Sequence, residues 1–448
     1  MWNSLTTTKI WLWLICSWFV CGLVGTIAGF TGLFYPVLAV CLVGPMAILL
    51  AGSGYISQHF HSFQTKEKIV FALICLWWFL HSLQVFVPET GFDALWYHLP
   101  IAQQTVLTHS FIGITDFYQS FNPQFSDSIF YLGFAVVGEG GAKIVAFLLG
   151  LTLAISTYIL SRTLLKRSYA LVTVLLVSSY QVISWQSSSF YIDIAKSVWE
   201  ISALVFILQK QPLKTGLALG ASLASKVFSI LLLPVYAFIS WIRLGKKQTV
   251  ILVISSLLVA LPYYVFAMNI SGNPLYSAFH HVGEIESIGE ANSSISYLWK
   301  RTVQLPYAFI QVAISRDYTT PLLLLFFPLA IWFRKEVFKN SNLFALAIFS
   351  IYQLFLWWYL PPTSTRYALS GFIAATIVSV FLLQKVFKKK QQLFYGLVIA
   401  GILAMPVRIS VAHRSWQFIS GQQSKSEYLE QFLDENIDSV LKKWHQID

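Results

Sequence analysis

The chain has 448 residues, 56% of them hydrophobic and only 11% charged, with a mean hydropathy of +0.66 and a formal net charge of +11. A soluble globular domain carries roughly 25% charged residues, so this composition excludes a water-soluble enzyme and describes a protein built into a lipid bilayer. The basic excess falls in short loops between apolar runs, where it acts as a topology signal, and nucleic acid is not an expected partner.

Apolar runs near the ~20 residues needed to cross ~30 Å of hydrocarbon lie at 10–30, 33–52, 69–87, 143–161, 169–184, 194–208, 249–268, 320–333, 343–360, 367–384 and 392–411. The first is too long for the apolar core of a signal peptide, and another run follows at once, so it reads as an anchor. The stretch 212–242 is broken by Lys226 and reads as two short helices that enter and leave from one side. The expected fold class is an all-α polytopic membrane protein of about 13 transmembrane helices. Its outer loops, near 88–142 and 269–319, carry short amphipathic helices. One transmembrane domain, 1–411, and a short outer helical tail, 412–448, account for the chain. Cys16, Cys21, Cys41 and Cys75 all lie inside apolar runs and read as small packing residues.

With Lys9 placed inside, alternation of sides puts 53–68, 162–168, 209–214, 243–248, 334–342 and 385–391 on the inner face. Those loops and Lys9 hold 18 of the 30 Lys and Arg residues, but only Glu67 and Glu336 among the 19 acids. The positive-inside bias therefore predicts an inner N-terminus and an outer C-terminus.

Three outer segments follow from this topology. Pro88–Ala142 contains Glu89, Asp93, Asp116, Asp127 and Glu139 but neither Lys nor Arg. The spacing of Leu95, Leu99, Ala102 and Val106 predicts a short helix along the membrane surface. Asn269–Arg316 begins S-G-N-P-L-Y. In the tail, Tyr428, Leu429, Phe432, Leu433, Ile437, Val440 and Leu441 predict one helix docking on the outer face.

The residues able to do chemistry sit at the outer ends of these runs. Asp93 lies in G-F-D-A-L-W-Y-H-L-P, between Phe92 and Trp96. Partial desolvation there raises a carboxylate's basicity, although Asp also suits the N-cap of the helix that follows. Tyr97 shares a helical face with Asp93, and His98 lies about one position off it. Asp193, Lys196 and Glu200 form a single stripe at spacings of three and four. Such a stripe either lines a cavity or forms an internal ion network. Lys226 follows the small-residue run G-L-A-L-G-A-S-L-A-S, which permits close helix packing. Arg366 opens a later span in T-S-T-R-Y-A-L, next to Tyr367. Each cation either snorkels to headgroups or joins the other on a lipid-linked phosphate, for which Arg has the bidentate geometry.

These pieces, in this order, resemble the C-type glycosyltransferases, multi-spanning enzymes that use polyprenyl-phosphate sugars. The group includes the protein O-mannosyltransferases and the lipid A aminoarabinose transferase. The resemblance rests on F-D-A-L-W-Y-H-L-P, F-Y-I-D-I-A-K, G-L-A-L-G-A-S-L-A-S-K, S-G-N-P-L-Y and T-R-Y-A-L, and covers roughly 88–369. It implies an inverting transfer outside the cytoplasm, with Asp93 as general base on a glycan, lipid or protein acceptor. Tyr97, His98, Asp193, Lys196, Lys226, Arg366 and Tyr367 would bind donor phosphate or acceptor. No cofactor is required by the residues, although some branches use a divalent cation such as Mg or Mn. The adjacent acidic pair of the protein mannosyltransferases is absent. Short loops without a retention signal fit a bacterial inner membrane or an archaeal one. Two other readings remain. A polysaccharide polymerase or ligase would centre on His280, His281, Arg301 and Arg316. A transporter or flippase would line its path with Asp193, Lys196 and Glu200.

Overall fold

In the computed structural model, residues 4–114, 117–277, 295–314, 319–360 and 364–431 are described. Every regular element among them is helical. Nine helices are long and apolar enough to cross a bilayer: Thr6–Thr31, Pro36–Gln58, Thr65–Phe86, Phe125–Arg162, Val227–Leu244, Lys246–Ser271, Ser341–Tyr359, Thr365–Val386 and Lys390–Ile419. Shorter helices, Arg167–Ser178, Asp193–Leu208, Pro212–Leu223 and Leu323–Trp332, stand where further spans were expected. The chain is an integral membrane protein.

Two of the shorter helices lie inside the bundle. All 16 residues of Asp193–Leu208 are buried, so other helices replace lipid around it, and ionisable groups on it meet protein rather than hydrocarbon. Pro212–Leu223 packs against Lys246–Ser271 through its small-residue run. A Cβ on Gly216 would stand 2.5 Å from the Leu252 carbonyl oxygen, and one on Gly220 would stand 2.7 Å from that of Ser256. The close approach expected from the small residues is thus present. Overpacking of a tight contact costs about 1–3 kcal/mol, so Gly216→Val is expected to lower the thermal midpoint of the detergent-solubilised protein by several degrees. An unchanged midpoint would show that this helix pair can separate at no cost.

The helix Phe125–Arg162 is a hairpin. Val137 and Gly138 leave helical geometry, Gly138 with φ +59°. A Cβ on Gly133 would stand 2.6 Å from the carbonyl oxygen of Gly141. Eight residues of straight helix rise about 12 Å, so the chain must reverse between them. The long limb after the turn corresponds to the span expected at 143–161. The short limb places Asp127 back over the outer segment.

The loops expected on the inner face touch one another. The Arg167 guanidinium meets Glu67 at 2.6 Å, and Lys385 stands 3.8 Å from Glu336. Tyr169 Oη donates to the Lys390 carbonyl (2.9 Å) and Arg243 Nη2 to Asn342 Oδ1 (2.8 Å). At the chain's far end the helix Met405–Ile419 crosses the boundary expected at 411. Tyr428 then packs on Phe418, with centroids 5.3 Å apart. Phe432, Leu433, Ile437, Val440 and Leu441 lie outside the described residues, as do His280, His281 and Arg316.

Candidate active site

Asp93 is held in place by its neighbours. The Glu89 carboxylate, itself buried, accepts hydrogen bonds from the Thr90 and Gly91 amides (2.9 and 2.8 Å), the Ser189 hydroxyl (2.7 Å) and the Phe190 amide (2.9 Å). This ties the turn before Asp93 to the loop before Asp193. At Gly91 any Cβ would lie 2.5 Å from the Tyr191 ring, so only glycine lets the two loops meet. Tyr191 Oη then accepts from the Asp93 amide at 3.1 Å. Burial, and after it the Asp93 charge, push the phenols of Tyr97 and Tyr191 above their usual range, so both remain protonated at neutral pH.

Asp93 is not a helix cap. Its backbone is already helical (φ −63°, ψ −34°) and its side chain makes no capping hydrogen bond. The carboxylate reaches across to Arg366, with Oδ2 2.6 Å from Nη2. The guanidinium also faces Asp193, with Nε 3.7 Å from Oδ2, and Asp193 Oδ1 lies 2.6 Å from Lys226 Nζ. Asp93, Arg366, Asp193 and Lys226 thus form one continuous ionic chain drawn from four separate segments. Tyr367 lies beneath it, its ring centroid 4.1 Å from Lys226 Nζ and 5.2 Å from the Arg366 guanidinium. Both are favourable cation–π positions.

Exposure separates the roles. The side chain of Asp193 is 1% exposed, whereas Asp93, Lys226 and Arg366 are 17%, 17% and 15% exposed. Asp193 is therefore the enclosed counter-ion that aims both cations, and the other three face open space. Lys226 follows a helix end in an extended conformation (φ −156°, ψ 129°), which turns its side chain away from the close-packed helix that precedes it.

The stripe expected from Asp193, Lys196 and Glu200 divides. Asp193 turns to the cations above, while Lys196 Nζ donates to Glu200 Oε1 (3.0 Å) and to the Tyr367 carbonyl (3.1 Å). Glu200 also accepts from Ser222 (3.1 Å), Gln353 (3.3 Å) and the Ser370 hydroxyl. This buried hub holds the segment just after Arg366, through the Tyr367 carbonyl and Ser370.

Two cavities share the site. A polar one is lined by Asp93, Trp96, Tyr97, His98, Asp127 and Arg366, among others. An apolar groove is lined by Leu231, Leu232, Leu356, Trp357 and Leu360, with Lys196 near its polar end. Lys226, Phe228 and Tyr367 line both, and so mark their junction.

A divalent cation does not fit this arrangement. Asp93 and Asp193 each already hold a basic side chain. Among the described residues no three His, Cys, Asp or Glu come together as metal ligands. Of the residues suggestive of a ligase, Arg301 packs on Tyr297 and Trp358. Asp127, Tyr191 and Glu89 were not singled out in the sequence. Their only signals there are the acidic character of the segment 88–142 and the aromatic pair Phe190–Tyr191 shortly before Asp193.

No family model matches the sequence, and no curated protein does. Solved structures share the fold. The apo structure of ArnT from Cupriavidus metallidurans superposes with a TM-score of 0.51 at 17% identity, over 80% of this chain and 65% of that one. ArnT bound to undecaprenyl phosphate gives 0.49 at 16% identity, over 76% and 64%. The oligosaccharyltransferase AglB from Archaeoglobus fulgidus, in complex with an inhibitory peptide and a dolichol-phosphate, gives 0.47 at 13%, over 79% and 55%. This chain therefore spans a little under two thirds of ArnT and just over half of AglB. At these identities the likeness is one of fold alone, shared with the apo structure of ArnT.

Proposed function

We propose that this protein transfers a sugar from a polyprenyl-phosphate donor to an acceptor at the outer face of a membrane, with inversion at the anomeric carbon. The observation that carries this reading is the junction at Lys226. There an apolar groove suited to isoprene units ends against two cations, and the polar cavity beyond contains Asp93. Asp93 takes the proton of an acceptor hydroxyl as its oxygen attacks the anomeric carbon. The bond from that carbon to the phosphate oxygen breaks, and Arg366 and Lys226 neutralise the charge that develops on the leaving phosphate. Lys196 and Tyr367 shape the donor side; Tyr97 and His98 shape the acceptor side. The undecaprenyl phosphate bound by ArnT and the dolichol-phosphate bound by AglB are ligands of this chemical class. The acceptor is a surface glycan, a glycolipid or a protein, and the sugar a hexose or pentose. A bacterial inner membrane suits the short basic loops.

The reading requires the site to face outward. Single cysteines at Thr108 and Asn292 are expected to react with a membrane-impermeant maleimide in intact cells, and those at Lys166, Lys246 and Lys389 only after lysis. Labelling of position 246 but not 292 in intact cells would invert the topology and remove the site from the outer face.

The function is tested with reconstituted protein and undecaprenyl-phosphate sugars. Release of free undecaprenyl phosphate on adding acceptor-rich membrane extract, lost in Asp93→Asn, is the expected result. Absence of undecaprenyl phosphate binding by the wild type would overturn the proposal.

A further inference from the structure

The polar cavity contains a second ionisable pair that the transfer step above does not use. His98 Nδ1 is 2.8 Å from Asp127 Oδ1, and both side chains are enclosed. A carboxylate only accepts, so Nδ1 carries the hydrogen and Nε2 is the ring nitrogen left to exchange a proton. Nε2 has no hydrogen-bond partner among the described residues and is not one of the enclosed unpaired atoms, and His98 lines the cavity of Asp93. The imidazole is stacked on Phe190, with centroids 5.2 Å apart and planes 20° from parallel. Stacking and the Asp127 contact together hold the ring in one orientation.

A single π-helical turn separates Asp93 from His98, and both line one cavity. Residues 94–98 form a π-helical turn in which the Leu99 amide donates to the Ala94 carbonyl. In an α-helix a residue five positions on, as His98 is from Asp93, lies about 140° around from the first. Adding a residue to the turn brings it back towards the first residue's face, and such turns recur at functional sites. The charged and titratable groups facing His98 are Asp127 from the hairpin, Tyr97 from its own turn and Tyr191 from the loop before Asp193. Across the cavity stand Asp93, Lys226 and Arg366.

We propose that His98, oriented by Asp127, is a second proton-transfer residue of this site, taking the acceptor's proton from Asp93 and returning it to solvent. The inference rests on the transferase reading. When the acceptor O–H bond breaks, its oxygen bonds the anomeric carbon, and the electron pair of the cleaved bond stays on the phosphate. The proton passes from Asp93 through the shared cavity to Nε2. The Asp127 carboxylate balances the resulting imidazolium, which releases the proton to water. The transfer takes the proton away from the reacting centre and resets Asp93 for the next acceptor. Asp127 is a positioning residue in this scheme, and no oxidant, reductant or metal is needed.

The test uses the full-length reconstituted protein. His98→Ala is expected to lower kcat about 100-fold with little change in the donor KM, and imidazole added to the buffer should restore much of that loss. Imidazole should restore nothing in Asp93→Asn. Asp127→Asn should move the imidazole step in the pH profile of kcat to lower pH, because the imidazolium loses its counter-ion. If His98→Ala fails to accumulate, His98→Gln still places a donor towards Asp127 but cannot carry the proton, so its kcat should stay low. Normal kcat in His98→Gln, or a loss in His98→Ala that imidazole leaves untouched, would overturn the proton role. A wild type that binds no undecaprenyl phosphate would instead overturn the parent reading.

Discussion

Replacing Asp93 with Asn is expected to reduce transfer by about 10²–10⁴-fold, the contribution of a positioned acid–base group, while protein level and donor binding persist. The substitution keeps the volume and much of the hydrogen bonding but cannot accept a proton. The competing role for Asp93 was that of a helix cap, in which Asn serves nearly as well. The absence of any side-chain cap and the 2.6 Å contact with Arg366 remove that role, so the variant tests the base assignment alone. Arg366 would lose one carboxylate partner but keep Asp193, and the phosphate site should therefore bind undecaprenyl phosphate at least as well as before. Near-normal transfer by a well-expressed Asp93→Asn protein would take the base role from Asp93 and leave His98 as the remaining base in the cavity.

The second large effect is expected at Arg366. Replacement by Lys preserves the charge but not the planar fork. In the present arrangement one guanidinium faces Asp93 through Nη2 and Asp193 through Nε. A single ammonium at the end of a narrow stem cannot span both and still present a donor to phosphate. Hydrogen bonds to charged groups contribute about 1.5–3 kcal/mol, so Arg366→Lys should weaken undecaprenyl phosphate binding by about 10- to 100-fold. The comparison that isolates the effect is Lys385→Ala, remote from the site, which should bind as the wild type does. Equal affinity in Arg366→Lys and wild type would remove the guanidinium from the phosphate site.

Part of this site could be read along the chain and part could not. Asp93, Lys226 and Arg366 each stood out locally, as a charge or carboxylate placed at the outer end of an apolar run, where ionisable groups are costly unless used. Nothing local showed that they meet, because Asp93 and Arg366 lie 273 positions apart in the sequence. The stripe of Asp193, Lys196 and Glu200 was legible as a helical periodicity. Its division into a cation-aiming carboxylate and a buried structural pair was not, since that depended on Ser222, Gln353 and Ser370 from three other helices. Asp127 gave no signal beyond the acidic character of its segment, and its contact with His98 lies on the short limb of a hairpin that a merged apolar pattern hides.

By itself the sequence determined what composition and periodicity control: a helical protein of the membrane, the separation of basic loops from an acidic segment, and the close packing at Gly216 and Gly220. These follow from hydrocarbon thickness, loop charge and side-chain size, which act over a few turns of chain. The tertiary structure alone decided which charges neutralise one another, which carboxylate is enclosed and which remains open, and where the apolar groove meets the polar cavity. Those outcomes depend on desolvation and on distances of a few ångströms between distant segments, and no local pattern encodes them. The π-helical turn at 94–98 belongs to the same group. Its extra residue per turn departs from the α-helical spacing read from the sequence, and His98 and Asp93 line one cavity.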